Sequence, residues 1–112
     1  MQTYQHDING QFVDPKSGVW FESENPYNGE VWASIPRGDA DDVDLAAAAA
    51  KAAFDGEWGQ TGPTQRGKLL VKLAEIVERE AARLGEIEVR DNGKLIAEMG
   101  AQTKYLAEWY RY

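Results

Sequence analysis

Four features of the sequence have residue types and spacings that could do chemistry. The first is Gly62-Pro63-Thr64-Gln65-Arg66-Gly67-Lys68, which has the spacing of a phosphate-binding loop. Such a loop needs Ser or Thr after the lysine to hold magnesium, and a buried strand before the first glycine. Here Leu69 follows, and the polar run Glu57-Trp58-Gly59-Gln60-Thr61 precedes. The segment therefore reads as the start of a helix, with Thr64 placed to cap it. The second is the carboxylate set Asp39, Asp41, Asp42 and Asp44. A calcium loop would want glycine at its sixth position and glutamate at its twelfth. Those positions hold Asp44 and Ala50, so the carboxylates read as helix-capping groups. The third is His6, the only histidine; with no nucleophile near it in the sequence it reads as a solvated side chain. The fourth is Ala101, Tyr105, Trp109 and Tyr112, spaced i, i+4, i+8 and i+11 on one side of a helix. Such a stripe is either core or the wall of an apolar ligand channel, and the pattern alone favours core. The chain has no cysteine. A disulfide scaffold, a thiolate metal site and a cysteine nucleophile are excluded within these residues.

The elements that would position these residues are legible from local patterns. Residues 1–36 read as an extended region. Ile8 to Val13 carries Asn9-Gly10 between apolar residues, a hairpin signal. Asp14 to Gly18 and Asn25 to Gly29 are turns, Val19-Trp20-Phe21 is a short strand, and Val31, Ala33 and Ile35 alternate as a half-buried strand. Residues 39–112 are the helical region. Asp39 caps a first helix with the apolar stripe Val43, Ala46, Ala47, Ala50, Ala53 and Phe54, and Gly56 ends it. So Ala-rich a stripe must pack closely on a neighbour. Glu57 to Pro63 reads as a loop. A second helix presents Leu69, Leu70, Leu73, Ile76 and Val77; a third, about residues 81–90, presents Leu84 and Ile87 and stops at Asn92-Gly93; a fourth runs from near Leu95 to the end. The expected fold is thus an N-terminal hairpin or extended region followed by about four α-helices. The last of them, Leu106 to Tyr112, is aromatic and has no stop signal, as in a piece of a longer chain.

Composition narrows the functional classes. The 112 residues carry 12 Lys and Arg against 19 Asp and Glu, a net charge of −7. That sign argues against a nucleic-acid module and a polybasic membrane binder. No apolar run of about 18 residues suits a membrane span, and the N-terminus lacks the basic-then-apolar order of an export signal. The cytoplasm is the expected compartment. Leu, Ile, Val and Phe total only 22 residues, offset by four Trp, five Tyr and fifteen Ala. The chain reads as foldable but short of its own core.

Taken in order, the segments resemble the N-terminal part of the aldehyde dehydrogenase superfamily. The resemblance rests on Ile8-Asn9-Gly10-x-Phe12-Val13, on Asn25-Pro26-x-x-Gly29-Glu30-Val31, and on Asp42-Val43-Asp44 with Ala49-x-x-Ala52-Ala53-Phe54. Trp58, Arg66-Gly67-x-Leu69-Leu70, Leu73-Ala74, Ile76-Val77-Glu78, Asp91-Asn92-Gly93-Lys94 and Tyr110-Arg111-Tyr112 complete it. Each segment is short, and their order across nearly the whole chain is what is specific.

The resemblance implies an α/β parent several times longer, with NAD(P)-binding, catalytic and oligomerisation domains, that oxidises an aldehyde to a carboxylic acid. In that family a cysteine attacks the aldehyde, hydride passes to NAD or NADP, and a glutamate-activated water releases the acid. Residues 1–112 would then be an N-terminal piece of the cofactor-binding domain, with the catalytic and oligomerisation domains absent. No catalytic or cofactor-binding residue falls in this chain, which is expected to be inactive and to bind no cofactor alone. The implied partners are the parent's aldehyde substrate and other copies in a homo-oligomer, with no nucleic acid or membrane. By position, Asp91 and the local group at Ser23 and Glu24 match ligands of a monovalent cation in some members. Ala101 and Tyr105 match positions lining the substrate entrance, and Trp109 joins them. On that reading Tyr105 faces the entrance and Leu106 the interior. The rival reading is a stand-alone helical interaction domain that docks through its C-terminal aromatic helix.

Overall fold

The computed structural model describes all 112 residues, Met1–Tyr112. The chain forms five short strands followed by helices, and divides into two compact units.

The first unit comprises residues 1–24 and 31–60. It holds a three-stranded sheet in which β5 (Val31–Pro36) lies between β1 (Gln2–Thr3), parallel to it, and β4 (Trp20–Glu24), antiparallel to it. The β5 alternation inferred from sequence places Ala33 fully inside. A separate hairpin pairs β2 (His6–Ile8) with β3 (Gln11–Val13). Its turn is Asn9-Gly10, with φ of 55° and 70°. Two successive positive φ values define the turn whose twist suits a hairpin, and Asn-Gly adopts it at least cost. Helix α1 (Ala40–Asp55) follows, then a single helical turn α2 (Glu57–Gln60) where the sequence suggested only loop.

The second unit comprises residues 25–30 and 61–112. Residues 25–30 form a compact turn in which the Asn25 carbonyl accepts from Gly29 at 2.8 Å, and Tyr27 N–H donates to the Asn25 side chain at 3.0 Å. The remainder is a helical hairpin of α3 (Pro63–Asn92) and α4 (Ile96–Arg111). Two expectations are corrected here. The second and third helices are one continuous helix of 30 residues. Nothing breaks the ladder near residue 81, because Ala81 and Ala82 are good helix formers. Thr64 does not cap it either: Gly62 is the N-cap residue, with no side-chain bond, and Pro63 opens the first turn. Proline suits that place because the first helical N–H groups have no partner to lose. Gly93 closes α3 with φ 74°, its N–H bonded to the Val89 carbonyl.

The seam between α3 and α4 uses small residues rather than the leucine stripe. Ala74, Ala81 and Gly85 of α3 are buried, as are Met99, Thr103 and Ala107 of α4. Leu69, Leu70, Leu73 and Ile76 remain exposed. Leu106 is 40% exposed whereas Met99 and Ala107 are fully buried, so the interior place assigned to Leu106 belongs to its neighbour Ala107. Periodicity locates apolar rows but does not say which row meets the partner helix. Backbones can approach closely only where side chains are small, and that selects Ala81 and Gly85.

Candidate functional site

The aromatic row of α4 is set by which row of that helix is buried. Met99, Thr103 and Ala107 face α3, and at about 100° per residue Ala101, Tyr105 and Trp109 fall on the far side. Tyr105 is 60% exposed, Trp109 68%, and Tyr112 lies fully open. The preference for core packing read from the stripe alone is therefore corrected: within this chain the row is surface. It is an ordered surface. Tyr105 and Trp109 meet edge to face, with ring centroids 6.0 Å apart at 86°, the geometry favoured by the ring quadrupoles. Ala101, Gln102, Tyr105, Leu106 and Trp109 line an open groove of about 550 Å³. The small Ala101 leaves the space and the two rings form its wall. No thiol or imidazole stands in it, so the groove is equipped for apolar recognition and not for nucleophilic attack.

At the end of the same helix, Arg111 bonds Glu78 of α3 at 2.6 Å and Glu108 at 2.6 Å. The hydrogen bond from Arg111, then its charge, holds Glu78 below the usual glutamate range, and the two carboxylates raise Arg111. A cation in the last turn also suits the negative end of the helix dipole. The pair fastens the two helices at their open end.

In the first unit the carboxylates do what capping requires, and more. Asp39 accepts from the N–H groups of Asp41 and Asp42 at 3.0 and 3.1 Å. Asp42 returns the bond to the Asp39 N–H at 3.1 Å, a reciprocal capping box. Its other oxygen accepts the Lys16 N–H at 3.1 Å, tying the loop after the hairpin to the start of α1. Burial pushes the Asp42 carboxyl up, but the backbone bonds from Asp39 and Lys16, with the positive charge of His6 and the Asp39 contact, leave it below the usual aspartate value of 3.8. His6 is not the solvated side chain expected: its ring packs against Gly38 and its Nε2 lies 3.8 Å from Asp42. The long reach of Asp42 is a missed assignment. An aspartate three residues after an aspartate N-cap signals the box, but the bond to Lys16 spans 26 residues and leaves no local mark.

The other sequence candidates carry no assembled chemistry. Gly62 to Lys68 is the first turn and a half of α3, preceded by a helical turn rather than a strand. Glu24 ends β4 in one unit and Asp91 lies in the last turn of α3 in the other. No group of three or more His, Cys, Asp or Glu side chains converges to hold a metal ion. No helix is long and apolar enough to cross a membrane.

Comparison with known proteins decides between the readings of the aromatic helix. The profile of the aldehyde dehydrogenase family matches residues 12–112. The chain belongs to the aldehyde dehydrogenase family. It is 47% identical, over its whole length, to the (Z)-2-((N-methylformamido)methylene)-5-hydroxybutyrolactone dehydrogenase of Acinetobacter baylyi, of which it covers 23%. It is also 47% identical over 89 residues to an Arabidopsis thaliana aldehyde dehydrogenase, family 2 member C4, covering 79% of this chain and 18% of that protein. Its fold superposes on the NAD-dependent aldehyde dehydrogenase of Sinorhizobium meliloti with a TM-score of 0.95 at 34% identity, over 99% of this chain and 22% of that one. An aldehyde dehydrogenase from Bacillus cereus, solved as an NAD⁺ complex, gives a TM-score of 0.93 at 33% identity, over 99% and 23%. The chain thus spans less than a quarter of the length of these relatives. Nothing in the comparisons supports the stand-alone interaction domain.

Proposed function

We propose that this chain is the N-terminal piece of an NAD(P)-dependent aldehyde dehydrogenase, part of its cofactor-binding domain, and that it has no activity alone. The observation that carries this is the joint one of match and absence. The fold follows dehydrogenases over 99% of the chain, yet the sequence contains no cysteine to attack an aldehyde. Hydride transfer from a thiohemiacetal needs that thiol, a docked nicotinamide and a base, and none of these is assembled on residues 1–112.

Within the parent, the α4 groove at Ala101, Tyr105 and Trp109 would form one wall of the substrate entrance. Its exposure and its edge-to-face rings support that role, since an entrance wall needs rigid apolar surface with free space beside it. For Asp91 and Glu24, a share in a monovalent cation site rests on the family resemblance. The parent would take NAD or NADP, act on an aldehyde and assemble as a homo-oligomer in the cytoplasm; the cofactor has its support in the NAD⁺ complex of the Bacillus cereus relative. Sequencing the gene beyond the codon for Tyr112 tests the reading. Continuation into a long open frame carrying a cysteine and a glutamate is the expected result; a stop codon directly after Tyr112 overturns it.

A further inference from the structure

Helix α1 carries two apolar rows, and its unit uses only one. Asp42 is buried and Ala49 half-buried, and Ala46, Ala49 and Ala53 share a groove with Ile8 and Asn9 of the hairpin. About 100° round the helix runs a second row, Val43, Ala47, Ala50 and Phe54. Its spacing of i, i+4, i+7 and i+11 is that of a seam between packed helices. All four residues are exposed, Val43 at 63% and Phe54 at 70%. A polar row of Asp44, Lys51 and Asp55 flanks it, with Lys51 paired to Asp55. An ordinary surface helix needs one apolar face; a second, with charges kept to one side, needs something to cover it.

We infer that this second row seats an apolar element of the parent dehydrogenase chain from beyond residue 112. The inference rests on the reading under Proposed function. Two features select that occupant. The chain spans only 22–23% of the length of relatives such as those from Sinorhizobium meliloti and Bacillus cereus, so most of the parent lies outside it and is covalently held nearby. A second copy of residues 1–112 is a poor alternative: each carries a net charge of −7, and Asp39, Asp41 and Asp44 crowd one end of the row, so like charges would meet. The row also has a shape. Ala47 and Ala50 sit between the larger Val43 and Phe54, leaving a shallow saddle into which a bulky side chain can enter while the backbones approach closely.

The test uses accessibility in the native full-length enzyme. Ala47→Cys and Ala50→Cys add only a sulfur, so activity of each variant confirms that it is folded. Maleimide labelling is followed peptide by peptide by mass spectrometry, with Asp44→Cys and Lys51→Cys as controls on the polar row. The expected result is labelling at 47 and 50 slower than at 44 and 51 on the order of tenfold or more, with the difference abolished in urea. Equal native rates at all four positions would overturn the inference. Protection of Ala50→Cys in the 112-residue chain alone, growing with its concentration, would assign the row to a second copy and overturn it too. A gene that stops after Tyr112 defeats the parent reading itself; a gene that continues, with rapid labelling at position 50, defeats only this inference.

Discussion

A Cβ added to Gly85 would stand 3.3 Å from the hydroxyl oxygen of Thr103, across the seam between α3 and α4. That hydroxyl contacts the carbonyl oxygens of Ala81, at 3.1 Å, and Met99. One polar side chain in an otherwise apolar seam is satisfied only because the opposite helix offers no bulk. Gly85→Ala should therefore cost about 1–3 kcal/mol by overpacking. Gly100→Ala is the control, since a Cβ there meets nothing within 4 Å; it should be neutral, or stabilising by up to about 1 kcal/mol through helix propensity. Urea unfolding midpoints of both variants check this. Equal midpoints would mean that the close approach at Gly85 contributes nothing.

Truncation along α4 should follow burial and not sequence hydrophobicity. Met99→Ala empties a fully buried position and should cost about 2–5 kcal/mol, with Leu106→Ala, half open, costing clearly less. Thermal melts of the two variants give the order, and the reverse order would refute this helix orientation.

Acid should loosen the start of α1. Asp42 has a folded pKa below its ordinary value: burial raises it, but the backbone bonds from Asp39 and Lys16 outweigh that with help from His6. A depressed carboxyl stabilises the fold fully above its unfolded value of about 3.9, and that contribution fades as pH falls through the lower folded value. Melting temperature measured from neutral pH downward should hold until about pH 4 and then drop. Asp42→Asn should start lower at neutral pH and drop less steeply in acid. An unchanged acid slope in Asp42→Asn would remove Asp42 from the account, leaving Glu78 and Glu80, which are also depressed.

Gly62 to Lys68 should not bind nucleotide, because Leu69 replaces the hydroxyl that magnesium needs and helix replaces the strand before it. Calorimetry with magnesium-ATP should be flat. A saturable heat that disappears in Lys68→Ala would contradict this.

What the sequence disclosed was whatever is local. Asn9-Gly10 announced its hairpin, Asp39 its cap and Gly93 its helix stop, because each is decided by the conformations open to one or two residues. The choice among apolar rows was not local. Leu69, Leu73 and Ile76 look more like core than Ala74, Ala81 and Gly85, yet the latter face α4. The same holds for Tyr105 and Trp109, whose stripe is as regular as a core stripe and lies outside. For the candidate site, the groove residues Ala101, Tyr105 and Trp109 were named from the sequence, but that they share an open surface required knowing which side of α4 Met99 and Thr103 occupy. The bond from Lys16 to Asp42 had no sequence signal, since its partners are joined only by the fold.

The central claim, that residues 1–112 are an inert piece of an NAD(P)-dependent aldehyde dehydrogenase, is tested most directly by NAD(P)H formation. The 112-residue chain and the full product of its gene are each incubated with NAD or NADP and a graded set of aldehydes. The account predicts turnover by the full product with at least one aldehyde, and none by the 112-residue chain above a heat-inactivated control. Turnover by the chain alone, or none by the folded full product with any aldehyde and either cofactor, would contradict it.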